Sequence, residues 1–104
     1  MINWNTGQGY RLIATLMRTE TPDEMRNFLD DLLTEKEIET CIKRLNTAYQ
    51  LSLGVPYSFI ENTTDISSKT IARIAKLLDT KKSGYSRALK RLNPHGSKKG
   101  IFLD

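Results

Sequence analysis

The stretch from Thr34 to Gly54 constrains this chain more than any other. Ile38, Cys41, Ile42, Leu45, Ala48 and Tyr49 recur at intervals of three and four, the spacing that lines side chains along one face of an α-helix. Thr34 followed three residues later by Glu37 has the form of a capping box, each side chain holding a backbone N–H of the other. Gly54 is the expected stop at the far end. The pattern predicts the longest helix in the chain, with those six residues as its buried stripe. Cys41, lying on that stripe, is expected to be a packed thiol and not a reactive one.

The other segments repeat the same period. Tyr10, Ile13, Leu16 and Met17 form a stripe over residues 8–18. Thr21 then suits a cap, Pro22 the first helical position, and Asp23 and Glu24 the positive end of the helix dipole. Met25, Phe28, Leu29, Leu32 and Leu33 follow as an amphipathic face. Pro56 permits a short helix over 57–63 with Phe59 and Ile60 inward. A fifth helix starts with Ser67 or Ser68 as its cap, and a sixth spans about 85–92, ending before Pro94. No segment alternates over enough residues to be a strand. The chain reads as all-α, about six helices in one domain of 104 residues. Residues 1–7 lack periodicity and read as a flexible arm, and residues 93–104 as a mobile basic tail, with Ile101, Phe102 and Leu103 able to fold back.

Charge is distributed unevenly. Residues 1–65 carry 6 Lys/Arg and 10 Asp/Glu, a balance of −4, whereas residues 66–104 carry 10 and 2, a balance of +8. Such asymmetry points to one part that packs or dimerises and another that meets a polyanion. No apolar run approaches the ~20 residues needed to cross a bilayer, and the N-terminus lacks the basic flank and apolar block of a signal peptide. With a single cysteine, the expectation is a cytoplasmic protein without membrane contact.

The basic part contains ISSKTIARIAKLL, residues 66–78. Wound at 3.6 residues per turn, Ile71, Ile74, Ala75 and Leu78 fall on one side, and Lys69, Arg73 and Lys76 in a narrow sector opposite. Like charges at this spacing cost an isolated helix about 0.2–0.5 kcal/mol per pair, a cost that an anionic partner would offset. Upstream lies YSFIENTTD, a short helix and a turn. The order helix, turn, helix over residues 57–79 is that of a helix-turn-helix, whose second helix enters the DNA major groove N-terminus first. Ser67, Ser68, Lys69, Thr70, Arg73 and Lys76 are then the candidate DNA contacts, joined by Tyr57 and Ser58 at the start of the first helix. Serine and threonine hydroxyls with free N–H groups hold phosphates. Lys69 and Arg73 are long enough for phosphates or guanine O6 and N7.

The run LLTEKEIETCIKRLNTAYQLSLGVPYSFIENTTDISSKTIARIAKLL, continued through SGYSRALKRL, resembles the Trp-repressor-like superfamily, and looks closest to its short YerC/YecD-type branch. The resemblance covers about residues 12–92. It implies an all-helical, intertwined homodimer, with residues 8–54 forming the dimer core and two helix-turn-helix units binding operator DNA. The chain departs from the usual motif at Glu61, where a small residue is common, and at Asp65, where glycine is common. Asp65 would therefore tolerate a left-handed backbone. The resemblance also raises an effector pocket on Thr34, Arg44 and Arg73, but its fourth position is Leu77, which has no hydroxyl. The plainer alternative makes Thr34 a cap, Arg44 a surface or interhelix ion pair, and Arg73 a phosphate contact. Whether a small-molecule co-repressor binds stays open at this point.

No cofactor or metal is expected: one histidine, His95, and one cysteine do not make a zinc set. No phosphate-cradling loop or catalytic pair stands out, so an enzyme is not expected. The leading reading is a dimeric transcriptional regulator of double-stranded DNA, taken as a repressor. Its rivals are a helical protein-interaction module and a nonspecific nucleic-acid binder.

Overall fold

The computed structural model describes residues 1–80 and 82–92. Lys81 and the tail 93–104, including His95, lie outside the described residues. Six helices follow in order: α1 (Gly7–Met17), α2 (Pro22–Leu32), α3 (Glu35–Ser52), α4 (Tyr57–Thr63), α5 (Ser68–Leu78) and α6 (Gly84–Leu92). Among the described residues there is no strand. The chain forms two compact units, residues 1–38 and residues 39 onward.

Local chemistry sets the helix ends in the first unit. Thr6 Oγ1 accepts the Gly9 N–H at 2.9 Å, and Asn3 accepts from Asn5 and Thr6, so a capping turn precedes α1. Thr21 Oγ1 accepts the Glu24 N–H at 3.1 Å, with Pro22 behind it. The Thr34–Glu37 capping box forms in both directions: the Thr34 N–H reaches Glu37 Oε1 at 2.8 Å, and the Glu37 N–H reaches Thr34 Oγ1 at 3.1 Å. Those hydrogen bonds hold the Glu37 carboxyl below its ordinary range.

The apolar stripes of this unit are only partly covered: Leu16, Met25, Phe28, Leu29 and Leu33 are half-buried. Neither α1 nor α2 has a fully buried residue, and Tyr10, Met17 and Leu32 are exposed. On α3 the stripe residues Cys41, Ile42 and Leu45 are likewise exposed. Cys41 is thus an accessible thiol in the single chain, contrary to the packed position its stripe implies. The stripe is real, but within one chain only its last turns meet a core.

That core belongs to the second unit. Ala48 of α3, Ile74 of α5 and Leu89 of α6 are buried together, with Tyr49, Leu51, Leu78 and Tyr85 packed against them. Ile60 and Ile71, on the contacting helices α4 and α5, are also fully buried. Phe59 points the other way and is exposed. In so short a helix one buried position is supplied by Ile60, and its neighbour 100° around the axis is turned out.

Gly54 ends α3. Its φ is +84°, the Val55 N–H bonds Gln50 O, and the Gly54 N–H bonds Leu51 O, each at 3.0 Å. These are the two hydrogen bonds of a Schellman motif. A Cβ at Gly54 would meet no atom within 4 Å, so its requirement is purely conformational. Gly54→Ala is expected to destabilise the fold by about 1–2 kcal/mol, lowering the thermal midpoint by several degrees with the helical spectrum unchanged. Thermal denaturation followed by circular dichroism checks this.

Candidate nucleic-acid interface

α4, the turn at residues 64–67 and α5 form the helix-turn-helix. Thr64 closes α4, its N–H reaching Ile60 O at 3.0 Å and its hydroxyl the same oxygen at 2.7 Å. The Ile66 N–H then bonds Thr64 Oγ1 at 3.3 Å. Ser67 opens α5: its Oγ accepts the Thr70 N–H at 3.2 Å and donates to Thr70 Oγ1 at 3.0 Å. The first turn of α5 holds no acidic residue, which leaves the positive end of the helix dipole favourable for an anion.

α5 divides cleanly. Ile71 and Ile74 are fully buried, while Ser67, Ser68, Lys69, Arg73 and Lys76 are exposed. The three cations occupy a sector about 60° wide at 100° per residue. Among the described residues none of the three has a carboxylate partner. Thr70 differs: it is half-buried, bonded to Ser67, and turned to a cleft beside the cationic sector. Tyr57 and Ser58 are exposed at the start of α4, as is Glu61, so the larger residue at that position is accommodated by pointing outward.

The turn holds an interaction the sequence pattern does not announce. Lys43 Nζ on α3 lies 2.8 Å from Asp65 Oδ2. The hydrogen bond and charge of Lys43 pull the Asp65 carboxyl below its ordinary range, and Asp65 raises Lys43 above its own. Both side chains are substantially exposed, so the pair adds little to stability and acts chiefly to orient the turn against α3. Asp65 is not left-handed, since among the described residues no non-glycine residue has positive φ. Its value at this position is its carboxylate, not its tolerance of a strained backbone.

Beside this pair is a cleft of about 320 Å³, lined by Lys43 and Arg44 of α3 and by Asp65, Ser67 and Thr70. Of the three effector-pocket candidates, Arg44 lines it. Arg73 is not among its lining residues and stands exposed on α5. Thr34 is engaged as a cap, its N–H donating to Glu37 Oε1 and its Oγ1 accepting the Glu37 N–H. Leu77 is half-buried. Among the described residues no group of three potential metal ligands comes together, and no helix is long and apolar enough to cross a membrane.

Residues 8–93 match the family described as Trp repressor protein. The chain is 33% identical over 82 residues to "Uncharacterized protein YerC" of Bacillus subtilis (strain 168), an alignment covering 79% of each protein. No solved structure matches.

The ion pair at the turn has a defined pH signature. Asp65 has a lowered value in the folded chain, so its contribution is fully present above the ordinary carboxylate range and is lost as pH falls through the lowered value. Carboxyl-detected NMR titration is expected to place the Asp65 midpoint below that of an exposed aspartate. In Lys43→Met the midpoint returns upward. An unchanged midpoint in that variant would show that Lys43 does not hold the carboxylate.

Proposed function

This chain belongs to the Trp repressor protein family, and we propose that it is a sequence-specific DNA-binding transcriptional regulator, a repressor that acts as a homodimer. The observation that carries the reading is the division of α5. One face is sealed by Ile71 and Ile74, and the other presents Lys69, Arg73 and Lys76 without acidic partners among the described residues. A helix anchored on one side and uniformly cationic on the other is suited to the floor and rims of a major groove.

In this mechanism a dimer sets two copies of α5 in successive major grooves, ~34 Å apart. Lys69, Lys76 and Lys82 neutralise phosphates, which carry most of the affinity and make it salt-dependent. Lys81, a phosphate-contact candidate from its place in the basic run after α5, lies outside the described residues. Arg73 reaches for base edges or positions the backbone, with Ser68 near the helix start. Ser67 acts mainly by holding that start in shape, since its hydroxyl is committed to Thr70. Repression follows from occupancy of the site. The mechanism requires no tryptophan: Thr34 is used as a cap, and Leu77 lacks the hydroxyl of an amino-group partner.

Exposed apolar residues in each unit, Tyr10, Met17 and Leu32 in the first and Ile42 and Leu45 of α3 in the second, support assembly through a second copy. Exposed apolar patches mark interaction surfaces. Light scattering is expected to give the mass of two chains, and Leu45→Glu, which buries a charge in that surface, is expected to give one.

Selection from a random duplex pool is expected to enrich a palindromic or pseudo-palindromic site. Arg73→Ala should weaken that site about tenfold or more and relax one position within it, whereas Lys69→Ala should reduce the slope of log affinity against log salt by about 1 without changing preference. Enrichment of no sequence would favour nonspecific binding, and absence of duplex binding at low salt a protein-interaction role.

A further inference from the structure

A second cationic face lies on α6. Arg87, Lys90 and Arg91 are three and four positions apart, within about 100° of one another around the helix. Leu89, which is buried, and Tyr85, which packs on the core, lie on the other side. All three cations are exposed, and among the described residues none has an ion-pair partner. Lys90 and Arg91 sit in the last turn, where the helix dipole favours positive charge. That effect fades within one turn and does not account for Arg87, the fourth residue of the helix. Mutual repulsion at this spacing opposes the arrangement.

α6 is also tied to the reading helix. Ser86 Oγ lies 3.1 Å from both Leu78 O and Thr80 O, sharing its proton between the end of α5 and the turn after it. Ser83 Oγ donates to Ser86 Oγ at 2.8 Å and accepts the Ser86 N–H at 2.9 Å. Ile74 and Leu89 share one core. The two helices are thus joined both by a polar clamp and by packing. Between residues 66 and 92 the sequence has one acidic residue, Asp79.

We propose that Arg87, Lys90 and Arg91 form a second duplex-DNA contact, gripping backbone phosphates beside the groove that α5 enters; the inference rests on the DNA-binding reading above. Both helices turn their apolar sides to the same cluster, so their cationic sides diverge. α6 therefore does not share the groove with α5. Its contact is to phosphates flanking it, which three long cationic side chains with no hydrogen-bond acceptor among them fit well. Such a contact carries no base information and sets register and grip on the duplex.

The test compares wild type with Arg87→Gln/Lys90→Gln/Arg91→Gln on the selected duplex, with affinity measured from 50 to 200 mM salt. The slope of log affinity against log salt is expected to flatten by about two units or more, at ~0.9 per phosphate contact. Affinity near 100 mM should drop by about tenfold or more, with sequence preference unchanged. The charge-retaining variant Arg87→Lys/Lys90→Arg/Arg91→Lys should keep the wild-type slope, which separates lost charge from a damaged fold. A wild-type slope in the glutamine variant, with site preference intact, overturns this inference and leaves the α5 reading standing. Dissociation of the dimer by the glutamine variant also overturns it, assigning the face to a second copy of the chain. Failure of wild type to bind any duplex overturns both readings.

Discussion

Everything in the second unit depends on the burial of two isoleucines of α5. Ile71 and Ile74 are completely removed from solvent, each worth about 1.5–3 kcal/mol relative to exposure. The repulsion among Lys69, Arg73 and Lys76 amounts to a few tenths of a kcal/mol per pair. Burial therefore wins by a wide margin, and α5 is held in place whatever its outer face presents. This asymmetry lets the helix keep three exposed cations with no carboxylate partner among the described residues. The fold supplies the anchoring, and the outer face is free to be chosen for a partner.

The elements that were legible in the sequence are those that local chemistry determines. The Thr34–Glu37 box, the Thr21–Pro22 start, the glycine stop at Gly54 and the Ser67 cap are all short-range, and each forms where its residues predict. Helical period likewise marked the faces of α5 and placed Ile60, Ile71 and Ile74. What periodicity does not contain is the identity of the covering neighbour. Phe59, Cys41, Ile42 and Leu45 have the right spacing for a core and still face outward in the single chain. A stripe says that a face is apolar, and only the tertiary arrangement says what, if anything, lies on it.

The candidate interface was legible to the same degree. The cationic sector of α5 follows from counting residues, and that of α6 would have followed from the same count. The Lys43–Asp65 pair did not, because its members are 22 positions apart with no periodic relation. Its presence changes the meaning of Asp65. A residue that looks like a compromise at a turn usually given to glycine is the acidic half of a cross-element contact. The Ser86 clamp is similar: a small polar residue in a basic helix gives no local signal, yet it fastens α6 to the end of α5.

The exposed apolar residues of α1, α2 and α3 carry a consequence for how much of the protein is at work at any moment. In the proposed dimer those residues are shielded only by association, so stability rises with the number of copies present. At low abundance the paired form scales with the square of the protomer concentration. Occupancy of a DNA site would then climb more steeply than the amount of chain, and scarce, unpaired chains would be the ones that quality control removes. In the proposed dimer, dosage itself would then become part of the switch.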